Sequence, residues 1–198
     1  MNLPNKLTVS RLVMAPLFFI AFFLPVWFGE SFDVLSAVLL LLLYLLTELS
    51  DLLDGIIARK YHLVTDLGKV MDPFADTFSR LTYFVCLSAV GVMPVWSFVI
   101  IMWREFSIVF LRMLMMGKGK AVAANIWGKS KAVLYAVSGL LGIAYVAMDR
   151  IASQTGWKGW ADPLLLVIFA LAAAASVASF GTYVKAIIKD GSLSHLSR

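Results

Sequence analysis

The sequence predicts an all-α integral membrane protein with six transmembrane helices and both termini on the cytoplasmic side. Three observations carry that expectation. Of the 198 residues, 61% are hydrophobic and 15% charged, whereas soluble domains run at about half apolar and about a quarter charged. Six apolar stretches each approach the roughly 20 residues that span a bilayer core. The connectors between them alternate between rich and poor in Lys and Arg, the pattern that separates the two sides of a membrane.

The first span is expected over residues 12–28. The opening MNLPNKLTVSRLVMAPLFFIAFFLPVWF has the charge-then-apolar order of a secretion signal, but no small-x-small cleavage site follows, and Pro4-Asn5 reads as a helix start. A retained first helix is the expectation. The second span covers residues 34–58 and contains VLSAVLLLLLYLL; the others cover residues 70–90, 94–116, 131–148 and 163–187.

One set of ends carries Lys6 and Arg11, then Arg59, Lys60 and Lys69, then Lys118, Lys120 and Lys129, and finally Lys185, Lys189 and Arg198. The other set is poor in cations: residues 29–33 are acidic, 91–94 uncharged, and 149–162 balanced. The cationic set therefore marks the cytoplasmic side, and Trp27, Trp96, Trp157 and Trp160 fall at the other, where interfacial aromatic belts belong. This topology accounts for the net charge of +5 without a nucleic-acid partner, because inner-loop cations orient the chain and attract anionic membrane lipids. The lone Cys86 excludes an internal disulfide. No repeat or low-complexity segment divides the chain, so residues 1–198 are expected to form a single domain.

Against this apolar background the acids are unevenly placed. Of 12 in the chain, Asp51, Asp54, Asp66, Asp72 and Asp76 fall within 26 residues, from the cytoplasmic end of the second span into the third. Asp51 and Asp54 are three apart, and Asp72 and Asp76 four apart, so each pair shares a helix face. Gly55, Ala58 and Gly68 leave the backbone beside them open to close approach. A single aspartate at a helix end is ordinarily a solvated cap. Four that converge in a low dielectric cannot all stay ionised without cations among them. Oxygen-only ligation points to a hard divalent ion, Mg²⁺, Mn²⁺ or Ca²⁺. Four carboxylates are enough for two ions, and two ions about 3.5–4 Å apart are a common device for displacement at phosphorus. A phosphate-bearing substrate is expected.

The segment DLLDGIIARKYHLVTDLGKVMDPFAD also resembles, without a gap, the signature D-x2-D-G-x2-A-R-x8-G-x3-D-x3-D of the CDP-alcohol phosphotransferase family. Asp51, Asp54, Gly55, Ala58, Arg59, Gly68, Asp72 and Asp76 stand at its fixed positions. The resemblance implies that Asp51, Asp54, Asp72 and Asp76 hold two divalent cations, Mg²⁺ first and Mn²⁺ as the alternative, against the pyrophosphate of a CDP-linked donor. It implies that Asp76 takes the proton of an acceptor hydroxyl, whose oxygen attacks the β-phosphorus and expels CMP. Gly55, Ala58 and Gly68 would lie against the cytidine moiety and Arg59 would contact donor phosphate. Asp66 lies in the variable segment and is left as surface charge.

The acceptor is read from elsewhere. Arg104 lies near the middle of the fourth span, where an arginine is costly enough to suggest function, with an ion pair to Glu48 or Glu105 as its bland alternative. Arg112 follows eight residues on, and Lys118, Lys120, Lys129 and Lys131 crowd the inner end, where plain topology also accounts for lysines. The segment WREFSIVFLRMLMMGKGK resembles the bacterial branch of the family that makes phosphatidylglycerophosphate, and NLPNKLTVSRLV resembles that branch's N-terminal amphipathic helix, with Asn5, Thr8 and Arg11 as its polar face. Asn5 and Thr8 are thereby expected at the donor. The implied substrates are CDP-diacylglycerol and glycerol 3-phosphate, with Arg104, Arg112, Lys129 and Lys131 on the acceptor phosphate, and a homodimer is the implied assembly. Thr77 replaces the lysine common in that branch, and Glu48 and Arg80 add charge beside the motif. These three are candidate specificity residues for another acceptor: inositol phosphate, inositol, serine or phosphatidylglycerol. An ion or proton transporter is the rival outside enzymology, since intramembrane charge also marks ion paths; it predicts acids spread across the membrane depth rather than gathered at one end.

Overall fold

The computed structural model describes residues 2–61, 65–116, 126–152 and 156–189. Six helices follow one another: α1 Leu3–Phe28, α2 Asp33–Lys60, α3 Asp66–Ala89, α4 Val95–Met116, α5 Ile126–Ile151 and α6 Lys158–Lys189, with a short 3-10 turn, Glu30–Phe32, between α1 and α2. α1, α2, α5 and α6 are each long and apolar enough to cross a membrane. The chain is an integral membrane protein. α3 and α4 are of similar length but carry the site's charges, Asp72, Asp76 and Arg80 on one and Arg104, Glu105 and Arg112 on the other.

The local signals explain where the helices begin and end. Asn2 caps α1 by accepting from the Asn5 amide (3.2 Å), with Pro4 in the first turn, where its missing N–H is no loss. Thr65 caps α3 by accepting from the Gly68 amide at 3.0 Å. Gly29, at φ +98°, closes α1 in a backbone conformation that a side chain would resist.

The expected N-terminal amphipathic helix is the first part of α1: residues 3–28 form one continuous helix, with Pro16 and Pro25 inside it. The polar stripe of Asn5, Thr8 and Arg11 is buried inside the protein. Its spacing of three keeps the stripe on one face, and that face docks against α2 and α3.

α1 packs on α2 and α3, α5 on α2 and α6, and α4 on α6 and α3. The core between them is built from Phe18, Phe22, Tyr44, Tyr83, Phe84, Leu87, Tyr135 and Phe169. Small residues on α5 permit this closeness: a Cβ at Gly142 would stand 2.7 Å from Leu87 Cδ1, and one at Gly139 would stand 3.3 Å from the Tyr44 hydroxyl. Tyr44 donates that hydroxyl to the Ala136 carbonyl at 2.6 Å, tying α2 to α5.

Candidate active site

α2 and α3 hold the two aspartate pairs at one end of the bundle, and α1 supplies what stands among them. Arg11, 1% exposed, reaches from α1 with both terminal nitrogens: one binds Asp51, the other Asp54 Oδ2 at 2.6 Å. Thr8, one turn earlier, donates to Asp72 Oδ1 at 2.6 Å and lies 3.5 Å from Asp54 Oδ2. Asn5, a further turn back, donates to Thr65 Oγ1 at 3.3 Å. The N-terminal stripe is thus a spine to which both aspartate-bearing helices are fastened.

Gly68 is buried under that spine. A Cβ there would lie 3.1 Å from Asn5 Oδ1, 3.2 Å from Thr65 Oγ1 and 3.8 Å from Asp72 Oδ2. Its role is therefore visible as close packing between α1 and the start of α3. Asp76, a turn beyond Asp72, binds Arg80 through Oδ1 at 2.8 Å. Glu48, half-buried on α2, has Arg80 as its foremost opposite charge, and Arg80 also senses Asp51 and Glu105. Five carboxylates (Glu48, Asp51, Asp54, Asp72 and Asp76) gather here around two guanidiniums.

This donor set is chemically suited to a hard divalent ion: every group is a carboxylate oxygen, with the Thr8 hydroxyl beside two of them. Among the described residues, no three acidic side chains as they stand close around a single point. The reason lies in Arg11, whose guanidinium sits between Asp51 and Asp54. The locus already binds positive charge, and the fit rests on that and on carboxylates left without a cation of their own.

A second cluster lies beside the first. Glu105 on α4 is buried and holds two cations through one oxygen: Arg104 at 2.9 Å and Lys131 of α5 at 2.6 Å. Arg104 also donates to Ser179 Oγ of α6 at 2.8 Å, and the Lys131 ammonium lies over the Tyr135 ring at 4.6 Å. The cluster carries one more positive charge than negative. Arg104 Nε is buried there with no hydrogen-bond partner among the described residues. Asp76 lies within charge–charge reach of both Lys131 and Glu105, so the two clusters adjoin.

Of the residues singled out from sequence, the structure brings together Asn5, Thr8, Asp51, Asp54, Gly68, Asp72, Asp76, Arg80 and Glu48, with Arg104 and Lys131 alongside. Gly55 and Ala58 stand half-buried on the same stretch of α2. Arg112 is half-buried on α4, outside the Glu105 contacts. Thr77 is buried and turns away from the carboxylates into an apolar groove of about 300 Å³ between α3 and α4. The side chains of Arg59, Asp66 and Lys129, and the whole of Lys118 and Lys120, lie outside the described residues. The alternative expected for Arg104, an ion pair with Glu105, is present; sequence reasoning missed Arg11 as a direct partner of two motif aspartates, Thr65 as the cap beneath Gly68, and Lys131 as a second cation on Glu105.

Six helices with a DxxDG…GxxxDxxxD segment folded into one carboxylate cluster define the class: the chain belongs to the CDP-alcohol phosphatidyltransferase family, which it matches over residues 1–178. Among curated proteins it is similar to the CDP-diacylglycerol–glycerol-3-phosphate 3-phosphatidyltransferase of Bacillus subtilis strain 168, 37% identical over 71% of this chain and 76% of that protein. The protein of the same description from Treponema pallidum strain Nichols is 32% identical over 93% of this chain and 88% of its own length. A probable phosphatidylglycerophosphate synthase of Mycobacterium tuberculosis strain H37Rv is 33% identical over 69% and 63%.

Proposed function

We propose that this protein transfers the phosphatidyl group of CDP-diacylglycerol to glycerol 3-phosphate, giving phosphatidylglycerophosphate and CMP. The observation that carries the reading is the adjacency of two oppositely charged clusters at one end of the bundle. One is an excess of carboxylates around Asp54 and Asp72; the other is a buried, net-cationic set around Glu105. Relatives spanning most of the chain are named for this reaction.

Asp51, Asp54, Asp72 and Asp76 would hold two divalent cations, Mg²⁺ in the first instance, which supply charge neutralisation at the donor pyrophosphate when bound. The protein's own groups do the remainder. Gly55 and Ala58, half-buried on α2, would let the cytidine end approach the backbone, while Gly68 keeps Asn5 and Thr8 of α1 close to α3. Arg104 and Lys131, each already committed to Glu105, retain one net positive charge and unfilled donors for the acceptor's phosphate. Placed there, the acceptor presents its free hydroxyl toward Asp76, which takes the proton as the oxygen bonds to the β-phosphorus. The bond from that phosphorus to the oxygen bridging to CMP breaks, and CMP leaves with the electron pair.

We further propose that all six helices of this single domain span the membrane. Both termini and the aspartate cluster then face the cytoplasm, and the protein works as a homodimer. Lys and Arg at the ends flanking the cluster support that orientation. Labelling of single cysteines at the exposed positions 60 and 90 from either side of sealed vesicles tests it.

The reaction is tested by CMP release from CDP-diacylglycerol by the purified protein in detergent. It is run with Mg²⁺ or EDTA against glycerol 3-phosphate, inositol phosphate, inositol, serine and phosphatidylglycerol. Metal-dependent turnover with glycerol 3-phosphate, absent in Asp76→Asn, is the expected result. Turnover with a different acceptor moves the specificity to Glu48, Thr77 and Arg80 and overturns the acceptor assignment.

A further inference from the structure

We infer that Arg80 is a positioning residue of the site: it clamps one oxygen of Asp76, and Glu48 on the facing helix helps to hold the clamp. The inference rests on the proposed reading of Asp76 as metal ligand and base. Arg80 lies four residues past the last position of the family signature and is not part of it.

The geometry separates clamping from substrate contact. Arg80 is 12% exposed, less than the Asp76 side chain it binds at 33%, and one of its terminal nitrogens is engaged by Asp76 Oδ1 at 2.8 Å. Its Nε is buried. The contact is one helical turn long, so the backbone of α3 fixes both partners, and Asp76 keeps its second oxygen for a cation or a hydroxyl. The other charges facing Arg80 are the carboxylates Glu48 and Asp51 of α2 and Glu105 of α4, with the Lys131 ammonium of α5 also within reach. A phosphate entering that surrounding would meet more acids than cations. The Glu105 cluster, by contrast, has two cations to one acid. Arg80 is therefore an internal counter-ion, and the acceptor phosphate belongs with Arg104 and Lys131.

The physical role follows from the crowding. Asp76 stands near Asp51 and Glu48, and like charges this close push one another out of place. Arg80 supplies the attraction that keeps Asp76 in one rotamer. Thr77, where related proteins of that branch carry lysine, is buried against Phe74, Phe78 and Phe106 in the apolar α3–α4 groove. In this chain the cation beside the fourth aspartate comes from a turn further along the helix.

The test uses the full chain in detergent with two readouts, Mn²⁺ binding followed by electron paramagnetic resonance and steady-state CMP release. Groups that only orient a metal ligand are typically worth about 10–100-fold in affinity or activity. Arg80→Gln is expected to weaken Mn²⁺ binding and lower kcat within that range while leaving the KM for glycerol 3-phosphate unchanged. Arg80→Lys is expected to recover part of both, and Glu48→Gln to shift both in the same direction by less. A tenfold rise in acceptor KM with kcat and Mn²⁺ affinity intact would make Arg80 an acceptor ligand and overturn the inference. So would wild-type values throughout. If Arg80→Gln does not fold, Arg80→Lys and Glu48→Gln decide by the same two readouts. Absence of CMP release from the wild type with Mn²⁺ binding still dependent on Arg80 would sink the proposed reaction and leave the clamp standing.

Discussion

Among the described residues, Arg11 and Arg80 serve five carboxylates at one end of the bundle; at the other, charged groups are held singly. There Asp149 pairs with Lys158, Asp162 accepts from the Tyr145 hydroxyl at 2.6 Å, and Arg150 binds Ser36 and the Phe22 carbonyl. That end also contains the roomier cavity, about 430 Å³ lined by Tyr145, Asp149, Arg150, Lys158 and Asp162. Asp72 lies in the second turn of α3 and Val90 caps its far end, and the helical rise over 18 residues puts them about 27 Å apart. Both ends hold acids and bases in similar variety, and the larger cavity lies away from the aspartates. What distinguishes the aspartate end, among the described residues, is five carboxylates crowded around two shared guanidiniums, Arg11 at 1% and Arg80 at 12% exposed. Uncompensated charge in a low dielectric is costly, so it persists where something else supplies the balance.

The comparison breaks most visibly if the acids of the two ends prove equivalent. Asp54→Asn or Asp72→Asn is expected to lower CMP release by more than about 100-fold, beyond what supporting residues contribute, with the thermal transition retained. Asp162→Asn, at the other end, is expected to stay within about twofold of wild type. Parallel CMP-release assays and melting curves in the same detergent make the check. An equal loss in Asp162→Asn would mean that charge compensation does not single out the site.

The next largest effect concerns Arg11, the buried cation that two motif aspartates share. Removing one member of a buried ion pair leaves the other charged and unpaired, at a cost of about 3–5 kcal/mol. Arg11→Gln should therefore melt earlier than wild type in EDTA. Saturating Mg²⁺ should return part of the loss, because a ligand that binds only the folded state stabilises it. Melting curves with and without Mg²⁺ read both effects. A loss that Mg²⁺ does not touch would mean that Arg11 only pins α1 to α2.

Arg11 also shows what was legible in the sequence and what was not. The motif aspartates, Gly68 and the apolar spans depend on local spacing, and spacing is written along the chain. The pairing of Arg11 with Asp51 and Asp54 crosses 40 and 43 residues and exists only once α1 packs on α2. A hint was present: Asn5, Thr8 and Arg11 recur every third residue at the start of an otherwise apolar helix. That pattern suggested the polar face of an amphipathic helix; inside the bundle it is the face toward the aspartates. Arg104 was legible as a costly cation with Glu105 as one possible partner, but not the sharing of Glu105 with Lys131, because that contact crosses 26 residues from α5 to α4. Thr77 was legible only as a departure, and its burial in the apolar groove explains it.

Gly68→Ala sharpens the comparison at intermediate cost. The added methyl would press on Asn5 and Thr65 at 3.1 and 3.2 Å, and crowding of this kind costs about 1–3 kcal/mol. The expected result is a modest fall in melting temperature with a raised KM for CDP-diacylglycerol, and wild-type affinity for glycerol 3-phosphate. A raised acceptor KM in its place would move the donor away from α1.

The smallest effect is expected from Lys158→Gln, which keeps most of the side-chain stem and removes only the charge facing Asp149. Both partners are partly exposed, 31% and 43%, so water and salt screen their attraction and ordering two long side chains opposes it. Pairs of this kind contribute about 0–1 kcal/mol. CMP release should be indistinguishable from wild type and the melting temperature nearly so, with any difference shrinking as salt is added. The contrast with Arg11 is then one of burial rather than of charge: a guanidinium sealed among carboxylates against an ammonium at the rim of a wet cavity. If Lys158→Gln instead slows turnover without loss of stability, the cavity at the far end is coupled to the aspartates through α5 and α6, and the two ends act as one site.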